Sequence, residues 1–327
     1  MKALKTPEND TCVIVWGRFQ PPHIGHGKLF DTAVVLGNAQ YKKEVMDPSA
    51  YPEHTPFGSL SRDDDIKLNQ FLQTERGAFL QNRNADVFIM PTSTCKTPKD
   101  RDCERYPLHI HEKLKILNTI YPEDSYRFAY LNENSIDRVL SIFNKIYRNM
   151  VIVCGGDSVY DYDEKLQKYF QSPSENPRHT IAYAPVEEER YTIRIGDKNV
   201  FLSASLIRQA LALCLDDIVK QGIAPEISQA EYTSINTVLV DQIINRYGVE
   251  KQNMREKNCE TVKTNRGLVE EQLKDYAANL EEKEIAKIEA EKEKAMASRK
   301  RKTLHVGGYK RYTFVRNFME KVYSLAH

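Results

Sequence analysis

The chain has 327 residues, more than the ~100–200 of a usual single domain, which predicts one large domain with an appendage. With 47 Lys and Arg against 46 Asp and Glu, the net charge of +1 excludes a protein that binds polyanions over its whole surface. Hydrophobic residues make up 41% of the chain, enough for a sizeable core, which excludes a wholly disordered polypeptide.

Two absences in the sequence bear on location. No apolar run approaches the ~20 residues of a membrane helix, and residues 1–10 lack the apolar core of a signal peptide. We therefore predict a cytoplasmic protein with no membrane contact and a loose N-terminus over residues 1–10. The six cysteines show no spacing typical of a zinc site, so we expect reduced thiols, with Cys12 and Cys154 buried, and no metal site built from side chains.

Apolar runs alternate with helical periods from residue 11 onward. Short, continuously apolar strands separated by helices are typical of a parallel sheet covered on both faces. We predict an α/β fold, a doubly wound Rossmann-like sheet of about five strands in the order 3-2-1-4-5. A hairpin is predicted to follow the last strand, and a helix opens at Ser203. The five predicted strands are Thr11–Trp16, Asp86–Met90, Tyr126–Tyr130, Met150–Cys154 and Thr180–Tyr183.

The composition divides the chain into three regions. After the loose residues 1–10, residues 11–248 form the predicted main domain, interrupted at about 38–84 by an insertion that serves as a lid or in assembly. Residues 249–327 form a charged helical extension, either a solvated helix or a short coiled-coil seam. The basic residues at its end could bind nucleic acid or an acidic partner. The protein could also form a homo-oligomer.

The most informative motif is Gly17-Arg-Phe-Gln-Pro-Pro-His-Ile-Gly-His26, between the first strand and a helix. Open α/β sheets bind ligands at this edge, and the helix start adds a positive dipole end. Gly17 and Gly25 lack Cβ, so a phosphate could approach the backbone. His23 and His26 can face one point, which predicts a cage for an anion whose charge grows during a reaction. A metal site or ordinary loop histidines are the alternatives, although a metal would need further ligands.

A second motif, Ser203-Ala-Ser-Leu-Ile-Arg208, lies at the start of a late helix. Ser203 is a good N-cap, Ser205 adds a hydroxyl in the first turn, and Arg208 lies on the same face as Ser205. Hydroxyls, free N–H groups and a guanidinium suit a triphosphate tail. The alternative is a capped helix with a surface arginine.

Two further strand ends carry polar residues. Gly155-Gly-Asp-Ser158 follows the fourth strand, the expected neighbour of the first, so Gly155 could line a nucleotide and Asp157 could meet its base or ribose. A plain strand-to-helix turn is the alternative. Thr92, Ser93 and Lys96 follow the second strand, in what is otherwise a solvated polar loop.

The first motif resembles the His-x-Gly-His signature of the nucleotidylyltransferase superfamily, and its Gly-Arg-Phe-Gln-Pro form is most similar to the nicotinamide mononucleotide adenylyltransferases. The second motif resembles the superfamily's Ser-x-Thr/Ser-x-Ile-Arg signature. Gly155-Gly-Asp resembles its Gly-x-Asp strand end. Tyr106-Pro-Leu-His, ahead of Glu112 and Lys113, resembles its Asn-Pro-Leu segment, with Tyr106 where Asn is common. The similarity extends over residues 11–245.

The resemblance implies transfer of a nucleoside monophosphate from a nucleoside triphosphate, with ATP the expected donor, to a phosphorylated acceptor, with release of pyrophosphate. It implies Mg²⁺ bound mainly through the phosphates. The implied catalytic residues are His23, His26 and Arg208, and the implied acceptor contacts are Thr92, Ser93 and Lys96. The implied nucleotide-binding residues are Gly17, Arg18, Phe19, His23, Gly25, His26, Gly155, Asp157, Ser203, Ser205 and Arg208.

Three functions stay open at this point. The first is a nicotinamide mononucleotide adenylyltransferase that forms NAD, favoured by the form of the first motif. The second is a cytidylyltransferase or other nucleotidylyltransferase acting on a phosphoalcohol or sugar phosphate. The third is an assembly protein of this fold, since the motif layout also resembles nucleotidyltransferase-like proteins of large bacteriophages and other DNA viruses. The intact His23, His26 and Arg208 argue against the third, because scaffolding does not require them.

Overall fold

A parallel sheet forms the centre of the computed structural model, which describes residues 9–47, 60–93, 106–122, 127–131, 133–155, 158, 162, 180–186, 191–223, 226–240 and 252–302. Its strands are β1 (Thr11–Gly17), β2 (Asp86–Pro91), β3 (Asn149–Gly155) and β4 (Thr180–Val186). They pair in the order β2-β1-β3-β4, and every pair is parallel. The predicted α/β class with a parallel sheet is therefore confirmed.

Helices connect and cover these strands. In the part of the chain that the structure describes, no helix combines the length and the apolar content needed to cross a bilayer. The helices are α1 (Gly27–Gly37), α2 (Ala39–Met46), α3 (Arg62–Leu72), α4 (Ile110–Ile120), α5 (Ile136–Phe143), α6 (Ala204–Ala212), α7 (Asp216–Ile223), α8 (Gln229–Leu239), α9 (Gln252–Thr264) and α10 (Arg266–Lys302), with a hairpin of β5 (Thr192–Ile195) and β6 (Lys198–Phe201) before α6.

The side chains of β1 alternate between two apolar clusters. Val13 and Val15 pack with residues of α1, α2 and α3 on one face of the sheet, whereas Cys12 and Ile14 pack with α5 on the other. All four are 0% exposed, because successive side chains of a strand point to opposite faces and both faces are covered. This double burial explains why β1 reads as a continuous apolar run.

The segment interpreted as an insertion covers one face of the sheet. Leu68 and Phe71 of α3 are buried in the cluster that contains β1 and α1. Asp64 forms an ion pair with Lys28 in the first turn of α1, with Nζ and Oδ2 3.0 Å apart. The described part of this segment therefore belongs to the core, and α3 is tied to the helix that begins at the first motif.

The predicted third strand, Tyr126–Tyr130, takes a different form. Phe128 makes one isolated parallel bridge to Ile89 of β2, and the backbone N–H of Ala129 donates to the carbonyl of Ile89 at 3.1 Å. In the described residues the parallel sheet thus has four strands and one additional bridge rather than five strands. Phe128 packs against the cluster that contains β1 and α1, whereas Tyr130 is 54% exposed.

The start of the charged extension is packed rather than solvated. Val269, Leu273 and Ala277 of α10 are buried in a third cluster with the hairpin and helices α6, α7 and α8. A compact unit ends at Ala277, and Ala278 begins a second unit. In the second unit Ile285 is 48% exposed. The predicted boundary at residue 248 and the basic residues beyond 302 lie outside the described residues.

The prediction that all cysteines are reduced is wrong for one pair. Cys214, in the turn after α6, forms a disulfide with Cys259 of α9, and their Cα atoms are 5.4 Å apart. The spacing gave no indication of this, because the partners are separated by 45 residues and meet only through the packing of α9. Cys12 and Cys154 are thiols rather than disulfide partners, and both are buried as predicted. Cys95 and Cys103 lie outside the described residues.

We expect Cys259→Ser to lower the free energy of unfolding by about 2–4 kcal/mol, because the bond closes a 45-residue loop and restricts the unfolded chain. Denaturant titration with and without a reductant measures this. Wild-type protein in reductant serves as the matched control and should lose the same amount, whereas the variant should not respond to reductant. A wild-type protein whose unfolding ignores reductant would contradict the expectation.

Candidate functional site

The first motif lies at the carboxyl edge of the sheet. β1 ends at Gly17, beside the end of β2 at Pro91, with β3 as its other neighbour. The chain then passes through a loop and a short 3₁₀ turn at Ile24–His26 into α1. Because parallel strands all end at the same edge, the loop is placed beside the carboxyl ends of β2 and β3, where open α/β sheets bind ligands.

The two histidines of this loop lie against each other. Their ring centroids are 3.7 Å apart, and the backbone N–H of His23 donates to Nδ1 of His26 at 3.1 Å. Since Nδ1 of His26 accepts a hydrogen bond, the proton of its neutral ring belongs on Nε2, which makes Nε2 the donor. His23 is 8% exposed, and its Nδ1 is buried with no hydrogen-bond partner among the described residues.

Both imidazoles are neutral at pH 7. Burial, and after it the neighbouring His26, lowers the pKa of His23 well below its usual value. Burial lowers the pKa of His26 to about 4. The pair therefore offers neutral N–H donors rather than fixed positive charges to an incoming anion.

The lowered pKa of His26 predicts that the folded protein loses stability in acid. The unfolded chain takes up protons on these histidines below about pH 6.5, whereas the folded His26 does so only near pH 4. Stability should therefore be present above about pH 6.5 and fall as the pH drops towards 4. The wild-type protein should have a lower free energy of unfolding at pH 5 than at pH 7. We expect His26→Gln to reduce that difference by about 1–2 kcal/mol. An unchanged pH dependence in the variant would contradict the assigned shift.

Two glycines make room for rings of the protein itself. A Cβ on Gly17 would lie 2.6 Å from the ring of Phe19, and a Cβ on Gly25 would lie 3.0 Å from Nδ1 of His23. Phe19 has a positive φ of 45°, and its ring contacts His26 edge-on at 4.8 Å. The expectation that these glycines admit a phosphate stays a prediction. What the structure shows is that they leave room for the rings of Phe19 and His23, which both contact His26.

Gln20 fixes the same loop to the segment before α4. Its side-chain amide donates to the carbonyl of Leu108 at 2.8 Å and accepts from the N–H of Leu108 at 2.9 Å. The peptide bond between Gln20 and Pro21 is cis. This pair of hydrogen bonds was not predicted, because the two partners lie 88 residues apart and no sequence pattern joins them.

The second motif meets the first at this loop. Ser203 caps α6 by accepting from the N–H of Leu206 at 3.1 Å, as predicted for an N-cap. Arg208 donates to Oγ of Ser205 at 3.0 Å through Nη2 and to the backbone carbonyl of Gln20 through Nη1. The structure therefore brings the guanidinium of Arg208 to the loop that carries His23 and His26.

A third group of polar side chains lies where β2 ends. The N–H of Thr92 donates to the carbonyl of Gly17 at 2.8 Å, so Thr92 directly adjoins the loop. Nζ of Lys113, a fully buried residue of α4, donates to the carbonyl of Thr92 at 2.8 Å. The guanidinium of Arg18 donates to the hydroxyl of Tyr106 and lies 4.5 Å from its ring centroid. Ser93 is 4% exposed and adjoins this group.

Tyr106 and Lys113 were not predicted as site residues. The resemblance implies no role for Tyr106, because this residue stands where asparagine is common. Lys113 lies three and four residues before the buried Ile116 and Leu117, which places a charged side chain on the apolar face of α4. That position in the sequence is the signal that could have identified it.

The remaining predicted site residues are Gly155, Asp157 and Lys96. Gly155 is buried at the end of β3, beside the site edge. Asp157 and Lys96 lie outside the described residues. Within the described ranges no three His, Cys, Asp or Glu side chains come together as ligands for a metal ion.

Comparison of the chain with protein-family models, with curated proteins and with solved structures found no match.

Proposed function

We propose that the protein is a nucleotidylyltransferase. The observation that carries the proposal is the bond from Arg208 to the carbonyl of Gln20, which joins the second motif to the loop of His23 and His26. Two donor groups thus flank one loop beside the central strands of a parallel sheet. The five-strand order 3-2-1-4-5 belongs to the same proposal, and the bridge between Phe128 and Ile89 supports it.

In the proposed reaction an oxygen of the acceptor phosphate attacks the α-phosphorus of a nucleoside triphosphate. A new P–O bond forms to the α-phosphorus, and the bond from it to the bridging oxygen of the β-phosphate breaks in line. Pyrophosphate leaves with the electron pair. The attacking phosphate is already ionised, so no proton transfer and no side-chain nucleophile are needed. Positioning and charge stabilisation supply the catalysis.

Each motif has a role in this reaction. The N–H of His26 Nε2, with His23 beside it, donates to oxygens of the α- and β-phosphates, where negative charge accumulates. Arg208 and Ser205 hold the pyrophosphate end, with the guanidinium already fixed by two hydrogen bonds. Backbone N–H groups near Arg18 and Phe19 meet the α-phosphate. Groups fixed before the substrate arrives need little reorganisation.

Magnesium fits this site through the substrate. The side chains gathered around the loop are imidazoles, guanidinium groups and hydroxyls, and these do not form the carboxylate cage that a protein-held Mg²⁺ requires. The ion would be held by the phosphate oxygens and water, and it would neutralise part of their charge. The residues of the chain act on the oxygens that the ion leaves uncovered.

ATP and nicotinamide mononucleotide are the proposed substrates, which would make NAD the product. Support for this choice comes from the Gly-Arg-Phe-Gln-Pro form of the first motif. A pyrophosphate-release assay tests it by pairing ATP or CTP with nicotinamide mononucleotide, phosphocholine and a sugar 1-phosphate. Release with ATP and nicotinamide mononucleotide, together with NAD formation, is the expected result. Release with CTP and another acceptor would keep the class and change the substrates, and silence in every pair would contradict the proposal.

A further inference from the structure

The side chain of Gln20 has no task in the reaction above, although it lies in the loop of the two histidines and is 3% exposed. A buried amide lowers the stability of a fold unless its donor and its acceptor are both bonded. Both are bonded here to the main chain of one residue. Nε2 donates to the carbonyl of Leu108 at 2.8 Å, and Oε1 accepts from the N–H of Leu108 at 2.9 Å. Two bonds to one residue fix the direction of the side chain as well as its position.

The main-chain carbonyl of Gln20 accepts a further hydrogen bond, from Nη1 of Arg208, while Nη2 of Arg208 donates to Oγ of Ser205 at 3.0 Å. Ser205 lies on the same helix as Arg208, so its bond orients the guanidinium only relative to α6. Among the hydrogen bonds that the structure describes, the bond to Gln20 is the one that places Arg208 relative to the loop. A guanidinium has five N–H donors in one plane, so these two bonds leave others for a ligand.

These contacts close a ring that passes through α6. The side chain of Leu108 is 0% exposed and belongs to the same apolar cluster as Leu206 and Ile207, on the buried face of α6. One route from α6 to the loop therefore runs through Arg208 to the carbonyl of Gln20. The other runs through the apolar cluster and Leu108 to the amide of Gln20. Since both routes end at Gln20, a shift of the loop relative to α6 would break one of them.

We propose that Gln20 is a positioning residue that sets where the guanidinium of Arg208 lies relative to the histidine pair. The inference rests on the proposed transferase function and deepens it. In that function the histidines and Arg208 contact phosphates of one triphosphate, so the separation of the two groups must match the length of the substrate. A misplacement of about 1 Å in such a site can lower a rate by about 100-fold. Gln20 itself touches no substrate and acts through Arg208.

A double-mutant cycle in the full chain tests this role, because a residue that acts only through Arg208 has no effect once Arg208 is gone. Gln20→Met keeps the length of the side chain and removes both bonds to Leu108, which frees the loop to move the carbonyl. We expect it to lower kcat/KM for the triphosphate by about 10–100-fold when Arg208 is present. In the Arg208→Gln background the same change should lower kcat/KM by less than about 3-fold. Equal factors in the two backgrounds overturn the inference.

A second variant and a control separate positioning from a general loss of stability. Gln20→Asn keeps the amide but is one methylene shorter, so its bonds to Leu108 can form only if the loop moves. It should show the same dependence on Arg208, and it serves as the test if Gln20→Met does not fold. Gln81→Met is the matched control, because Nε2 of Gln81 donates to the carbonyl of Leu72 at 2.7 Å, away from the loop. It should keep kcat/KM within about 2-fold in both backgrounds. A loss in Gln81→Met as large as that in Gln20→Met overturns the inference.

Calorimetric titration with Mg-pyrophosphate repeats the cycle without turnover, so failure of this inference is distinguishable from failure of the proposed function. We expect Gln20→Met to raise Kd by about 3–10-fold when Arg208 is present and by less than about 2-fold in Arg208→Gln. If no pair of substrates releases pyrophosphate but binding shows this dependence, the transferase proposal fails and the positioning role stands. If transfer occurs and the two changes are additive, the positioning role fails alone. Mg-pyrophosphate that binds wild type no more tightly than Arg208→Gln overturns the positioning role as well.

Discussion

Replacing His26 with alanine is expected to lower kcat for pyrophosphate release by at least about 100-fold, the usual effect of removing one donor from a site that stabilises developing charge. The physical reason is the loss of the Nε2 donor, whose orientation depends on the bond from the N–H of His23 to Nδ1. The fold should survive at pH 7, because His26 is a partly buried residue of a 3₁₀ turn and is not a member of the sheet clusters. Steady-state assays with the substrate pair found in the screen measure kcat, and circular dichroism reports folding.

His111→Ala is the matched control for this variant. His111 is an exposed histidine on α4, and its replacement removes an imidazole without touching the loop. It should keep wild-type activity within about 2-fold, as surface substitutions usually do. A folded and fully active His26→Ala protein would refute the assigned role of the histidine pair.

Arg208→Gln is expected to have the second large effect, a fall in kcat/KM of about 10²–10³-fold. The substitution removes the guanidinium that would stabilise the pyrophosphate end, together with its bonds to Gln20 and Ser205. Arg208→Lys restores the charge without the planar fork, so it should recover only part of the rate. Measuring kcat and KM for the triphosphate in both variants tests this order.

Arg138→Gln provides the control for Arg208. Arg138 lies on α5, and its side chain is 71% exposed, so its loss should leave both kinetic constants and stability within experimental error. If Arg208→Gln were as active as Arg138→Gln, the second motif would be a capped helix with a surface arginine. The transferase proposal would then lose the observation that carries it.

Much of the central sheet could be predicted from the sequence, because its strands are buried on both faces. Cys12 to Val15 form a continuous apolar run, and all four residues are 0% exposed. The run around Phe128 was predicted as a strand despite Arg127, and within the described residues it forms one bridge, to β2. A short apolar run does not show whether a partner strand extends along its whole length.

Only part of the candidate site could be predicted from the sequence. Ser203 as a cap and Arg208 beside Ser205 follow from helical spacing, since residues three apart share a face. Gln20, Tyr106 and Lys113 depend on partners far along the chain, and no local pattern indicates those partners. The packing of the Phe19 ring against Gly17 was not predicted either, because only the structure shows that ring in the space that a Cβ would fill.

The sequence by itself determined the α/β class, the parallel strands and the two motifs, because hydrophobic periodicity and capping are local properties of the chain. Only the tertiary structure decided that Arg208 contacts Gln20, that Arg18 donates a hydrogen bond to Tyr106, and that Cys214 is bonded to Cys259. Such contacts depend on how whole elements pack against each other. Their partners are chosen by the sum of many buried contacts across the fold, which no short stretch of residues contains.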